Sequence, residues 1–110
     1  MEYKNSKKVI ASVLTVMLLS ISICAATVVD KSASASSTGA SASVVTNQEA
    51  DLLARARITS TTDMNNDTDS GFQKSAFASV STSGLNGTPT SSYATAWVGN
   101  DEVAFKSWSK

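Results

Sequence analysis

The sequence predicts a small all-β domain, an antiparallel meander or sandwich of about four strands that follows an export signal and a flexible leader. Runs of alternating polarity recur in the second half of the chain, and Gly, Asn, Asp and Ser separate them. No segment carries the apolar repeat of an amphipathic helix. A length of 110 residues limits the chain to one small domain.

Residues 1–35 are predicted to be a secretory signal peptide. A lysine-rich start precedes an uncharged, mostly apolar run from Val9 to Ala26, a pattern that resembles the signal peptides of Gram-positive bacteria. The run is shorter than the roughly 20 apolar residues of a transmembrane helix. The small residues Ala33 and Ala35 place the expected cleavage after Ala35, with Ala26 as the second choice and an uncleaved anchor as the third.

Cys24, the only cysteine, lies near the end of this apolar run. A cysteine there can accept the lipid of a bacterial lipoprotein, which gives a membrane-anchored surface protein as an alternative. The residue before it, Ile23, is larger than the small residue that normally precedes such a cysteine. Export without a lipid is therefore the main prediction, and the mature chain then has no thiol for a disulfide.

Residues 36–45 are predicted to be a flexible leader and residues 46–110 the β domain. The leader begins with eight residues that are all Ser, Thr, Gly or Ala, and these bury too little apolar surface to offset the entropy lost on ordering. The domain is then held without disulfides, by close packing of small side chains, by assembly or by a bound ligand.

The first element of the domain can be interpreted in two ways. Thr46 and Glu49 match a helix capping box. The period-2 pattern instead favours a strand over roughly 50–60, with Arg55 and Arg57 facing solvent. The side chains that would share the apolar face of this strand are Leu52, Ala54, Ala56 and Ile58.

A strand over residues 75–81 and a C-terminal hairpin complete the predicted sheet. The hairpin joins Tyr93–Val98 to Glu102–Trp108 through Gly99, Asn100 and Asp101. A loop of Asn100 and Asp101 alone puts Tyr93, Trp97 and Trp108 on one face, as an aromatic platform for a ligand. A three-residue loop gathers Tyr93, Trp97, Val103 and Phe105 into a core, the interpretation favoured in a domain with few large aliphatic residues.

A second candidate site is a weak Ca²⁺ site in the acidic segment between two strands. Oxygen-bearing side chains stand at positions 1, 3, 5 and 7 of a calcium-loop spacing, and they are Asp63, Asn65, Asp67 and Asp69. Thr68 replaces the usual sixth-position Gly, and Lys74 replaces the twelfth-position Glu. A solvated turn is the alternative, and no other cofactor is expected.

The composition excludes several classes of function. Without histidine the chain cannot build a Ser-His-Asp triad, a Cys-His dyad or a zinc site that uses histidine. Its many hydroxyls have no base to activate them, so we expect no enzyme. Residues 36–110 carry seven acidic and five basic side chains, which is not the charge of a nucleic-acid-binding surface. Contact with the membrane is expected only through the signal peptide.

These features predict a secreted bacterial protein that acts as an extracellular or cell-surface binding domain for a cell-wall glycan or another protein. The hairpin that begins Tyr93-Ala94-Thr95-Ala96-Trp97 and ends at Trp108 is similar to the end of lactococcin-type bacteriocins, which are small secreted β-sandwiches. The similarity spans fewer than twenty residues, and the Gly-rich opening of that family is missing, so no residue role is transferred. It implies a secreted antibacterial protein as the alternative function, ahead of a hydrolase.

Overall fold

The computed structural model describes residues 26–110. All regular structure in this range is β, which confirms the predicted class, and every strand pairing is antiparallel. Among these residues no helix is long and apolar enough to cross a membrane. The five strands are β1 (Val28–Ser36), β2 (Gly39–Ser60), β3 (Met64–Ser81), β4 (Pro89–Val98) and β5 (Asp101–Ser109).

The long strand β2 organises the sheet. Along one edge it pairs with β3, and along the other it pairs first with β1 and then with β4, which in turn pairs with β5. The β2–β3 register shifts between Val45 and Ala50, where four residues of β2 lie opposite a single residue of β3. A bulge of this kind bends both strands, so the sheet curls over itself.

The bend divides the sheet into two layers that face each other. The serine layer comprises β1, residues 39–46 of β2 and residues 75–81 of β3. The aromatic layer comprises residues 50–60 of β2, residues 64–73 of β3, β4 and β5. The side chain of Ser92 joins the layers by donating a 2.8 Å hydrogen bond to the backbone oxygen of Ser36.

The core between the layers consists mainly of alanine. Small side chains fill little space, so the two layers must lie close together to exclude water. Ile58 and Val44 are the largest fully buried side chains. The buried apolar residues are Ala40, Ala42, Val44, Leu52, Ala54, Ala56, Ile58, Ala76, Ala78, Ala94 and Ala96.

The strand predicted over residues 50–60 is confirmed as the second half of β2. Leu52, Ala54, Ala56 and Ile58 are buried on one face, and Arg55 and Arg57 lie on the other. The helix suggested by Thr46 and Glu49 does not form. The Thr46 hydroxyl instead donates to the backbone oxygens of Gln48 (2.7 Å) and Lys74 (3.3 Å), and so satisfies polar groups at the bend.

The prediction of a flexible leader over residues 36–45 is wrong. Residues 39–45 belong to β2, and Ala40, Ala42 and Val44 are buried in the core. Composition was misleading because this core is built from alanine, so a segment without large side chains contributes fully to it.

The ordered domain also begins earlier than residue 46. Residues 28–36, most of which the predicted signal peptide includes, form β1 and pair with β2. Thr27 donates a 2.7 Å bond to the side chain of Asn47, whose own N–H bonds to the Thr27 oxygen at 2.9 Å. The charged start of the predicted signal peptide, its apolar run up to Ala25, and Cys24 lie outside the described residues.

The predicted C-terminal hairpin is confirmed as β4 and β5, but its loop is neither of the two considered. Val98 pairs with Asp101, which leaves Gly99 and Asn100 as the loop, and the φ of Gly99 is +59°. The register then shifts near Val103, so that Ala96 pairs with Ala104. This bulge decides which β5 side chains share a face with those of β4.

Candidate binding face

The outer surface of β2, β4 and β5 carries several of the large side chains of the aromatic layer. Alternation along each strand requires this arrangement, because the alanines at 54, 56, 94 and 96 point into the core. The pairing aligns the outward residues in three rows. We call this surface the aromatic face, and its rows are Arg57–Tyr93–Ser107, Arg55–Thr95–Phe105 and Leu53–Trp97–Glu102.

Three aromatic side chains surround Thr95 on this face. Phe105 lies directly opposite Thr95 and diagonal to Tyr93 and Trp97, at a backbone separation of about 7–8 Å that aromatic rings can bridge. Phe105 is 53% exposed, and Tyr93 and Trp97 are half-buried. Thr95 is buried beneath its neighbours, and its hydroxyl donates to the carboxylate of Glu102. The result is a shallow apolar surface with hydrogen-bonding groups between the rings.

The structure separates Trp108 from Tyr93 and Trp97. Trp108 pairs with the buried Ser92 and therefore points to the core side of β5, where it is half-buried. Ser107 takes the place opposite Tyr93 that the two-residue loop had assigned to Trp108, and Phe105 joins the face, as the three-residue loop had implied. The bulge near Val103 produces this register with a two-residue loop, and nothing in the sequence identified that bulge.

The interpretation of Tyr93, Trp97, Val103 and Phe105 as an ordinary core is wrong for the three aromatic residues, whereas Val103 is partly buried and packs against the core. The three aromatic side chains do share a face, but alanine forms the core and they lie outside it.

Two arginines extend the aromatic face towards β3. The Nε of Arg55 donates to the hydroxyl of Thr68, and that of Arg57 donates to the side-chain oxygen of Asn66, each at 3.4 Å. The Arg57 guanidinium carbon lies 5.7 Å from the centre of the Tyr93 ring, within the range of a cation–π contact. The sequence indicated that both arginines face solvent but did not connect them with the aromatic residues.

The acidic segment is a strand and not a loop, because β3 begins at Met64. Asn65, Asp67 and Asp69 occupy alternate positions, and their side chains reach the free edge of the second half of the same strand. Asp69 Oδ2 accepts the N–H of Phe77, and Asp67 Oδ2 accepts the N–H of Ser79, both at 3.0 Å.

Asn65 continues this series at the end of the edge. Its side-chain nitrogen donates to the backbone oxygens of Ser81 (2.9 Å) and Ser83 (3.2 Å). The alternating polar residues of β3 thus supply the hydrogen bonds that a neighbouring strand would otherwise provide. We call Asn65, Asp67 and Asp69 the edge-capping residues.

This arrangement does not resemble a calcium loop. Alternate residues of an extended strand lie about 6.6 Å apart, so their oxygens do not converge on one point as they do in a curled loop. Among residues 26–110, no group of three or more His, Cys, Asp or Glu side chains is placed to hold a metal ion.

Asp63 lies just before β3 and serves the adjoining loop. It accepts the backbone N–H of Met64 at 2.8 Å and that of Asn86 at 3.2 Å. These two hydrogen bonds lower the pKa of the Asp63 carboxyl below its ordinary value, because they stabilise the ionised form. Asp63 therefore fastens the loop before β4 to the turn between β2 and β3.

The described part of the chain encloses no pocket. The aromatic face is an open surface that offers both apolar area and polar groups. No protein-family model matches the chain, and comparisons with curated proteins and with solved structures give no match.

Proposed function

We propose that this chain is a small exported bacterial protein that binds a cell-wall or surface glycan through its aromatic face and catalyses no reaction. The observation that carries the proposal is that Tyr93, Trp97 and Phe105 lie on the outside of a domain whose core is mostly alanine. Large apolar side chains normally fill the core. Their clustering on one face indicates a surface used for contact.

A glycan suits the chemistry of this face better than an enclosed small molecule does. Sugar rings present apolar C–H faces that pack on aromatic rings, and hydroxyls that pair with groups such as Glu102 and the arginines. Small ligands usually need a cavity that covers most of their surface, whereas a polymer can lie along an open sheet. The side chains stand on paired strands, so little entropy is lost when a ligand binds.

Export is the second part of the proposal, and the fold favours a different cleavage site from the one expected first. Cleavage after Ala35 would remove β1 and uncover the alanine core, whereas cleavage after Ala26 leaves Thr27 and its bonds to Asn47 in place. We therefore place the cleavage after Ala26. Mass and N-terminal sequence of the protein from culture medium test this, and a chain that starts at Ser36 or retains Met1 would contradict it.

Lipidation at Cys24 is the alternative form of export. A lipid-modified chain that starts at Cys24 and partitions with detergent would support it.

The binding proposal is tested by cosedimentation of the purified domain with isolated Gram-positive cell walls and with insoluble polysaccharides. We expect replacement of Tyr93, Trp97 or Phe105 by Ala to weaken retention by about threefold to tenfold each, as the loss of an aromatic contact does. Phe77→Ala is the matched control, because Phe77 is 61% exposed but lies on the serine layer.

Equal losses in the Phe77 variant, or no retention of the unaltered protein, would overturn the binding proposal. Clearing of sensitive bacteria by the purified protein would favour the antibacterial alternative.

A further inference from the structure

Within residues 26–110, the two arginines of the aromatic face are cations without an anionic partner. Across residues 26–110, neither guanidinium is paired with a carboxylate. Each Nε donates to a neutral oxygen at 3.4 Å. A guanidinium has five N–H donors, so most of the hydrogen-bonding capacity of both side chains is directed to solvent.

Their positions keep these charges together. Arg55 and Arg57 are both half-buried on β2, and residues two apart on one strand face lie about 6.6 Å apart. The bond to Thr68 restricts the guanidinium of Arg55, and the bond to Asn66 and the contact with the Tyr93 ring restrict that of Arg57. Two like charges held side by side repel each other, and an anion between or above them removes that repulsion.

The acidic side chains that lie nearest to the two arginines in the sheet do not neutralise their charges. Glu102 belongs to the row of Leu53 and Trp97, and its carboxylate accepts the hydroxyl of Thr95, which lies opposite Arg55. Within residues 26–110 it nevertheless forms no ion pair with Arg55. Asp51 lies farther along β2, beyond Leu53 and away from both arginines. The edge-capping residues Asp67 and Asp69 belong to the opposite face of β3, where they bond to backbone N–H groups.

We propose that the aromatic face selects anionic glycans, with Arg55 and Arg57 bound to carboxylate or phosphate groups of the polymer while Tyr93, Trp97 and Phe105 pack on its sugar rings. Guanidinium groups pair with these anions through two parallel N–H bonds. This inference rests on the proposed function, because it names the class of glycan that the same face would bind.

The test compares two forms of one polymer. Oligogalacturonate carries a carboxylate on every ring, and its full methyl ester has the same backbone without the charge. We expect the acid form to bind about tenfold more tightly than the ester at low salt. The advantage should shrink as the salt concentration rises, because exposed charges are screened. A poly(glycerol phosphate) arm distinguishes phosphate from carboxylate as the preferred anion.

Variants assign the effect to the arginines. Arg55→Gln and Arg57→Gln should each weaken binding of the acid form several-fold and binding of the ester by a smaller factor, because Gln keeps a donor for the sugar hydroxyls but loses the charge. Arg57→Lys should restore part of the loss. Lys31→Gln removes the same charge from an exposed position on β1 and should leave both affinities unchanged. Circular dichroism and melting temperature show whether each variant folds.

The outcomes separate the two proposals. Equal binding of acid and ester, insensitive to the arginine variants, would overturn selection of anions and leave glycan binding intact. An equal loss with Lys31→Gln would attribute the preference to overall charge and also overturn it. Failure to bind both the acid form and the phosphate polymer would overturn the inference. The proposed function is judged separately, by whether retention on cell walls depends on Tyr93, Trp97 and Phe105.

Discussion

The inner and outer faces of the aromatic layer are formed by the same strands but carry side chains of very different size. On the inner face, Ala54, Ala56, Ala94 and Ala96 are completely buried. On the outer face, the residues between them are arginines, aromatic residues and Thr95. In most domains the large apolar residues are inside. Here small side chains permit close contact between the layers, and the large ones lie on the surface, where the proposed function uses them for binding.

This difference implies that the two faces respond differently to mutation. A close-packed alanine interface has no room for added atoms, because backbone atoms of both layers lie close to each buried methyl group. The outer face has room, so changes there alter binding more than stability. The following predictions test that distinction, from the largest expected effect to the smallest.

Ala56→Leu should be the most damaging single change on β2. The added side chain must separate two layers that meet through methyl groups, so we expect a loss of about 3 kcal/mol in the free energy of unfolding, or failure to fold. Urea denaturation measures the loss. Thr59→Leu introduces the same side chain on the outer face of β2 and should cost less than about 1 kcal/mol. Equal losses would mean that the two faces do not differ.

Replacement of Asp67 and Asp69 by Ala together should expose the edge of β3. The N–H groups of Phe77 and Ser79 lose their acceptors, and water replaces them at a cost of about 1–2 kcal/mol in total. An unprotected edge also pairs with other chains, so we expect self-association in size-exclusion chromatography with light scattering.

The matched changes Asp67→Asn and Asp69→Asn keep an acceptor oxygen and should associate less. A double Ala variant that stays monomeric at full stability would show that the edge needs no cap.

Asp63 should make the domain sensitive to acid. Its pKa in the folded chain is below the ordinary value of about 3.9. The ionised carboxylate therefore stabilises the folded chain above that pH, and this stabilisation is lost as the pH falls through the folded pKa. Asp63→Asn should therefore show a smaller drop in unfolding free energy between about pH 6 and pH 2 than the unaltered chain does. Asp101→Asn, in the hairpin, is the control, and parallel curves for the Asp63 variant and the unaltered chain would contradict this role.

Calcium should have the smallest effect. The carboxylates of Asp67 and Asp69 already accept backbone N–H groups, and the two residues are spread along a strand. We therefore expect the thermal unfolding curves with Ca²⁺ and with chelator to coincide. A calcium-dependent rise in melting temperature that disappears in Asp67→Ala would restore the calcium site predicted from the spacing.

Several elements were predictable because their signal is local. The alternation of Leu52, Ala54, Ala56 and Ile58 identified a strand and its buried face, and the Gly99-Asn100-Asp101 segment located the hairpin. Side-chain period and turn chemistry belong to neighbouring residues, so they can be recognised without a fold.

The candidate site was less predictable, because it depends on a bulge. The register of a three-residue loop correctly placed Tyr93, Trp97 and Phe105 on one face, but the chain reaches that register through a two-residue loop and a shift near Val103. A single extra residue exchanges the faces of a strand. The edge-capping role of Asp67 and Asp69 could not be predicted either. It arises only where the bend of β3 brings these residues next to the second half of the same strand.

The sequence by itself determined that the chain forms antiparallel strands, which residues alternate on each, and that histidine chemistry is excluded. Only the tertiary structure decided which face of the C-terminal hairpin is inside, that the small-residue segment from Val28 to Val45 belongs to the domain, and that the acidic segment seals an edge. The physical reason is the small size of alanine and serine. Each gains little from burial, so their position is set by what packs against them, and that depends on contacts between residues far apart in the chain.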